Sequence, residues 1–94
     1  MGTAEPFGEP ENSGAKLHVP DGLCVDDRGR LYVANNSAEV SAVVILASDG
    51  RCAGQIPVPA PPSNCSFGGE DRRTLYLTTL HALYEVRVDT PGLP

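Results

Sequence analysis

Large aromatic side chains are scarce in this 94-residue chain: there is no tryptophan, and the rings are Phe7, Phe67, Tyr32, Tyr76 and Tyr84. Its core must be mainly aliphatic, and a chain this short buries only about 60 to 65% of its unfolded surface. Long apolar runs are lacking too. Nothing approaches the ~20 residues of a membrane span, and the opening MGTAEPFGEPENSGAK lacks the cationic-then-apolar order of a secretory signal. The expectation is a cytoplasmic protein with no membrane partner. Basic residues are few and scattered, 7 Lys plus Arg against 12 Asp plus Glu. A phosphate backbone requires a concentrated cationic face, so no nucleic-acid partner is expected. The three cysteines, Cys24, Cys52 and Cys65, form no C-x-x-C pair and are expected as buried free thiols. His18 and His81 are the only imidazoles and have no metal-ligand spacing, and no G-x-S-x-G elbow occurs. Zinc-type and Ser-His-Asp chemistry therefore find no support.

What the sequence has in quantity is punctuation, with 10 Gly and 9 Pro. Residues 1–14 are rich in Gly, Pro, Glu and Ser without periodicity, which predicts a flexible N-terminal segment. Short strands follow. AKLHV (15–19) stops at Pro20. GLCVD (22–26) ends in the turn Asp27-Arg28-Gly29, and RLYVAN (30–35) returns from it. SAVVILA (41–47) runs into Asp49-Gly50, a strong hairpin signal. CAGQIPV (52–58) carries Pro57, which marks an outer strand because proline has no amide to donate to a ladder.

After the Pro-rich break at 59–63 the pattern restarts with NCSFG (64–68), a turn at Glu70–Arg73, TLYLT (74–78) and LYEVRV (83–88). LYVA at Leu31 recurs as LYLT at Leu75, an offset of 44 residues that also superposes Asp27-Arg28 on Asp71-Arg72. Four short strands in a period of about 40 to 50 residues predict an all-β fold of antiparallel four-stranded β-propeller blades. Blade A spans 20–58. Blade B is split, 64–88 being completed by 15–19. Two blades do not close a ring of about four to eight, so copies would have to assemble, three of them making six blades, or further blades would come from elsewhere.

The consecutive motifs PDGLCVDDRGRLYVA (Pro20 to Ala34), a V-V-x-L strand, a D-G-R turn, GQIPVP (Gly54 to Pro59) and NCSFGGEDRRTLYLTT (Asn64 to Thr79) resemble the regucalcin (senescence marker protein), gluconolactonase and luciferin-regenerating enzyme family. The match runs from about His18 to Thr79 and resembles the C-terminal third of a family member. The resemblance implies a six-bladed propeller with a divalent metal in its central tunnel and hydrolysis of sugar lactones. It also implies that Asp21, the acid of P-D-G, is a metal ligand and general base. The family's other ligands, a Glu near the N-terminus and an Asn in an earlier blade, find no matching motif in this chain. The implied cofactor is a divalent metal, Ca²⁺, Mg²⁺, Mn²⁺ or Zn²⁺, with oxygen ligands favouring the first three.

The residues themselves allow a plainer role for Asp21, since an Asp in a Pro-Asp-Gly corner ordinarily satisfies nearby amides. Asn64, at the head of the second repeat's inner strand, and Asn35 and Asn36, after the second strand, are further candidates to line the tunnel. Each is also an ordinary strand-end or turn residue. The reading from sequence is a partial lactonase propeller with one identifiable site residue. Its alternatives are a non-catalytic module that assembles with itself, or an inactive truncated product.

Overall fold

The computed structural model describes residues 2–5, 7 and 17–94. Seven strands account for its regular structure: β1 (Pro20–Val25), β2 (Leu31–Asn35), β3 (Ala42–Leu46), β4 (Cys52–Pro57), β5 (Asn64–Gly68), β6 (Thr74–Thr78) and β7 (Leu83–Arg87). No helix occurs among the described residues, and so none long and apolar enough to cross a membrane. Two antiparallel sheets form, ordered β1-β2-β3-β4 and β5-β6-β7. The turn chemistry explains the hairpins. Gly29 (φ 78°), Gly50 (φ 92°) and Gly69 (φ 84°) take the left-handed conformation their turns require, and Arg72 (φ 58°) is the one side-chain-bearing residue to join them among the described residues. Pro57 sits on the outer strand β4, as its missing amide demands.

The 44-residue offset is a structural equivalence. Leu31 is the first residue of β2 and Leu75 the second of β6, the second strands of their sheets. The apolar alternation then builds a core between the sheets. Tyr32, Val43, Val58, Cys65, Leu75 and Leu77 are buried there, with Cys24, Ile45, Ile56, Phe67, Tyr84 and Val86 packed around them. The ring of Tyr32 meets Phe67 edge to face, centroids 5.0 Å apart. On the other face of the first sheet, Val33, Val44 and Leu46 form a smaller cluster that Leu17 helps to cover.

The sheets meet along their first strands. The Gly22 amide donates to the Ser63 carbonyl at 2.9 Å, and two residues further along each strand the Cys24 and Cys65 sulfurs lie 3.4 Å apart. At the opposite end the C-terminal segment closes the seam: Asp27 donates to the Pro91 carbonyl (2.9 Å), Gly92 to Arg72 (2.8 Å) and Leu93 to Val25 (3.2 Å).

Three expectations need correction. Residues 17–19 form no strand, because the amides of His18 and Val19 both donate to the Asn35 side chain at 3.0 and 3.2 Å, which holds them beside the first sheet. The predicted residues 15 and 16 and most of segment 1–14 lie outside the described residues. No strand among the described residues flanks β7, whose sheet has three strands. Of the three cysteines only Cys65 is buried; Cys24, on the seam strand, and Cys52, on the outer strand, are half-buried.

Candidate functional site

The end of the molecule where β1 and β5 begin collects the predicted site residues. Asp21 and Gly22 together oppose the single residue Ala34, since Pro20 pairs with Asn35 and Leu23 with Val33. This is a β-bulge, a device that bends a strand end and re-aims a side chain. Asp21 is therefore no turn residue. Its side chain is exposed, and Asn36 Nδ2 donates to its Oδ2 at 3.3 Å. Gly22 is required beside it, because a Cβ at that position would fall on the Asn64 side chain. Asp21 and Asn64 thus head adjacent strands at one end of the seam.

The three asparagines have different surroundings. Asn36 is half-buried and anchored by its own amide to the Val19 carbonyl at 2.8 Å. Asn64 is exposed, and its Oδ1 accepts from the Cys65 amide at 2.9 Å. Asn35 has no exposed surface. Its Oδ1 takes the two amides of residues 18 and 19 and its Nδ2 donates to the Val40 carbonyl at 2.9 Å, so it clasps two backbone segments rather than facing an open space.

A cavity of about 570 Å³ opens at this end, lined by Asn36, Pro61, Ser63, Thr79, His81 and Tyr84 among others. Asn36 connects it to Asp21. The sequence reading left Ser63, Thr79 and His81 without a role, although strand counting contained the signal. In an antiparallel sheet the β6–β7 turn returns to the end at which β5 starts, which brings Thr79 and His81 to the start of β5. Among the described residues no group of three or more His, Cys, Asp or Glu is placed to hold a metal ion. The Asp21 carboxylate is a hard oxygen donor of the type that suits Ca²⁺, Mg²⁺ or Mn²⁺, and one carboxylate is not a complete ligand set.

The other carboxylate that stands out, Asp26, belongs to the opposite end of β1. It has no exposed surface and accepts from the amides of Arg28 (2.9 Å) and Arg30 (3.0 Å), Arg30 Nε (2.8 Å) and the Tyr32 hydroxyl (3.0 Å). Burial pushes its pKa up, but the hydrogen bonds from Arg30, Tyr32 and Arg28 outweigh burial and hold it below the usual carboxylate value. Burial, then the hydrogen bond to Asp26, raises the Tyr32 hydroxyl to about 12. The network is saturated and ties β1, β2 and, through the bond from Arg30 to Thr90 at 2.8 Å, the C-terminal segment.

The family model described as the SMP-30/gluconolactonase/LRE-like region matches residues 3–81. The chain belongs to this family. It is similar to regucalcin of Sus scrofa, 33% identical over 63 residues that cover 65% of this chain and 20% of that protein. Regucalcin of Danio rerio is 35% identical over 65 residues, 67% of this chain and 21% of the relative. Among solved structures, an X-ray structure of a protein assigned as a gluconolactonase by family superposes with a TM-score of 0.75 at 30% identity, over 85% of this chain and 26% of its own. A gluconolactonase of Xanthomonas campestris gives 0.59 at 31% identity, over 81% of this chain and 24% of that one. The chain thus spans about a fifth to a quarter of the length of these SMP-30/gluconolactonase relatives.

Proposed function

We propose that the chain supplies about two blades of a six-bladed sugar-lactone hydrolase. The first sheet (20–58) is one blade and β5–β7 is most of a second. Asp21 is a ligand to a divalent metal and the general base. The observation that carries this reading is the placement of Asp21 in a chain of this family: an exposed carboxylate, turned outward by a bulge at the head of a seam strand, held by Asn36 at the rim of a cavity.

The chemistry follows from the side chains. Lactone hydrolysis needs a proton removed from water as it attacks the carbonyl, and an exposed carboxylate accepts that proton. Asn36 fixes one oxygen of Asp21, and the other has no partner among the described residues. A divalent cation bound there supplies carbonyl polarisation and a lowered water pKa. The cavity combines apolar walls from Ala60, Pro61 and Leu80 with the polar groups of Asn36, Ser63, Thr79 and His81, a mixture suited to a sugar ring carrying hydroxyls. The co-ligands that Asp21 needs, a Glu and an Asn by the family resemblance, come, in this reading, from other blades.

The test is hydrolysis of gluconolactone in the presence of Ca²⁺, Mg²⁺, Mn²⁺ or Zn²⁺, comparing the chain with Asp21→Ala. Metal-dependent hydrolysis abolished by the substitution supports the assignment, and hydrolysis unchanged by it removes Asp21 from the role.

The edge of β7, unpaired among the described residues, favours a second reading, self-assembly by strand addition. Unpaired backbone groups template a further strand, and a cyclic trimer of such contacts would complete six blades and bring three copies of Asp21 toward one axis. Sedimentation at tens of micromolar decides it, because a strictly monomeric species excludes the trimer.

A further inference from the structure

Cys24 and Cys65 are 41 residues apart in sequence, yet their sulfurs are separated by 3.4 Å, with the Cys24 thiol directed at the Cys65 sulfur. Two independent features fix the approach. The Gly22 to Ser63 hydrogen bond at 2.9 Å locks β1 to β5 two residues before the pair. The Cys65 thiol donates to the Tyr32 carbonyl at 3.2 Å, which orients it toward the first sheet. A disulfide requires sulfurs about 2.05 Å apart, so closing the gap takes small side-chain rotations across a seam whose backbone is already in place. Cys65 is buried and Cys24 half-buried, so the pair is partly open to solvent from the Cys24 side. Cys52, on the outer strand β4, has its thiol turned to the Gly54 carbonyl at 3.5 Å and provides an internal control.

We infer that Cys24 and Cys65 form a redox modification site that takes a two-electron oxidant of the hydroperoxide class and closes into a disulfide joining the first strands of the two sheets. The step balances. One thiol loses its proton and its sulfur attacks the peroxide O–O bond, giving a sulfenic acid and, for hydrogen peroxide, one water. The second thiol then attacks that sulfur, the S–O bond breaks, and a second water leaves. Two thiols are oxidised by two electrons and one peroxide is reduced. The cross-link closes a loop across the seam between the sheets, and joining residues 41 positions apart restricts the unfolded chain. This site does not depend on the lactonase reading, since it uses neither Asp21 nor the cavity.

The experiment titrates the folded chain and its Cys52→Ser variant with hydrogen peroxide and follows free thiols, intact mass and thermal unfolding. Trypsin leaves Cys52 and Cys65 on one peptide, residues 52–72, and Cys24 on residues 17–28, so the variant assigns the partner. The expected result is loss of two of the three thiols per peroxide, a mass about 2 Da lower, and peptides 17–28 and 52–72 linked in the variant as in the natural chain. Unfolding shifts up by about 10 °C and the shift reverses with dithiothreitol. A cross-link lost in Cys52→Ser, equal oxidation of all three thiols, or addition of oxygen without cross-linking overturns the inference.

Discussion

Gly22 and Asn64 touch across the seam between the sheets: a Cβ on Gly22 would overlap the Asn64 side chain and stand 2.9 Å from its Cα. The close approach lets the Gly22 amide reach the Ser63 carbonyl and sets Asp21 beside the head of β5. Gly22→Ala is expected to destabilise the fold by about 1 to 3 kcal/mol, the usual cost of forcing a methyl into filled space. Urea unfolding followed by circular dichroism measures it. Gly54, whose Cβ position is open, is the control and should tolerate alanine with little change.

Asp26 and Arg30 give a prediction with a definite pH dependence. The buried carboxylate has a pKa lowered below its ordinary value, so the native state binds its proton less readily than the unfolded chain. Its contribution is fully present above the unfolded value of about 3.9 and is lost as pH falls through the lower native value. Asp26→Asn should cost about 3 kcal/mol at neutral pH by leaving the half-buried guanidinium and the Tyr32 hydroxyl without their acceptor. The gap between natural chain and variant should narrow steadily below about pH 4. Urea midpoints measured between pH 2 and 7 check both the size and the sign.

Asn35 carries a different burden. Replacing it with alanine removes two accepted bonds and one donated bond at a buried position, an expected loss of about 1 to 3 kcal/mol. The diagnostic readout is local: the His18 and Val19 amides should exchange with solvent much faster in Asn35→Ala than in the natural chain. Asn35→Asp keeps the acceptor oxygen but sets a second oxygen against the Val40 carbonyl, so their protection should be intermediate. Equal protection in all three chains would contradict the clasp.

How much of this was legible in the sequence differs from element to element. The strands from Leu31 to Arg87 follow from alternation and from turn glycines, and those signals are local, so the expected spans 64–68 and 74–78 agree with β5 and β6. Pro20 reads as a strand terminator, yet it opens β1, because the bulge at Asp21-Gly22 absorbs the extra residue and no periodicity rule sees a bulge before the partner strand is known. Residues 17–19 alternate weakly like a strand, but a buried side-chain acceptor 16 to 17 residues away claims their amides. The cavity was hidden for the same reason: Asn36, Ser63 and His81 come from three connections that only the folded topology gathers at one end. Asp21 was singled out by its motif, and its neighbour Asn36 by little more than position.

The reading of Asp21 as a metal position is tested most directly by adding Mn²⁺ to the ¹⁵N-labelled chain and following paramagnetic broadening of its amide signals, which detects even the weak binding expected of one carboxylate. Signals of Gly22, Asn36 and Asn64, around the Asp21 carboxylate, should broaden first, and the effect should vanish in Asp21→Ala. Broadening centred instead on the exposed acids Asp49, Glu70 or Asp71, or an unchanged pattern in Asp21→Ala, would contradict the account.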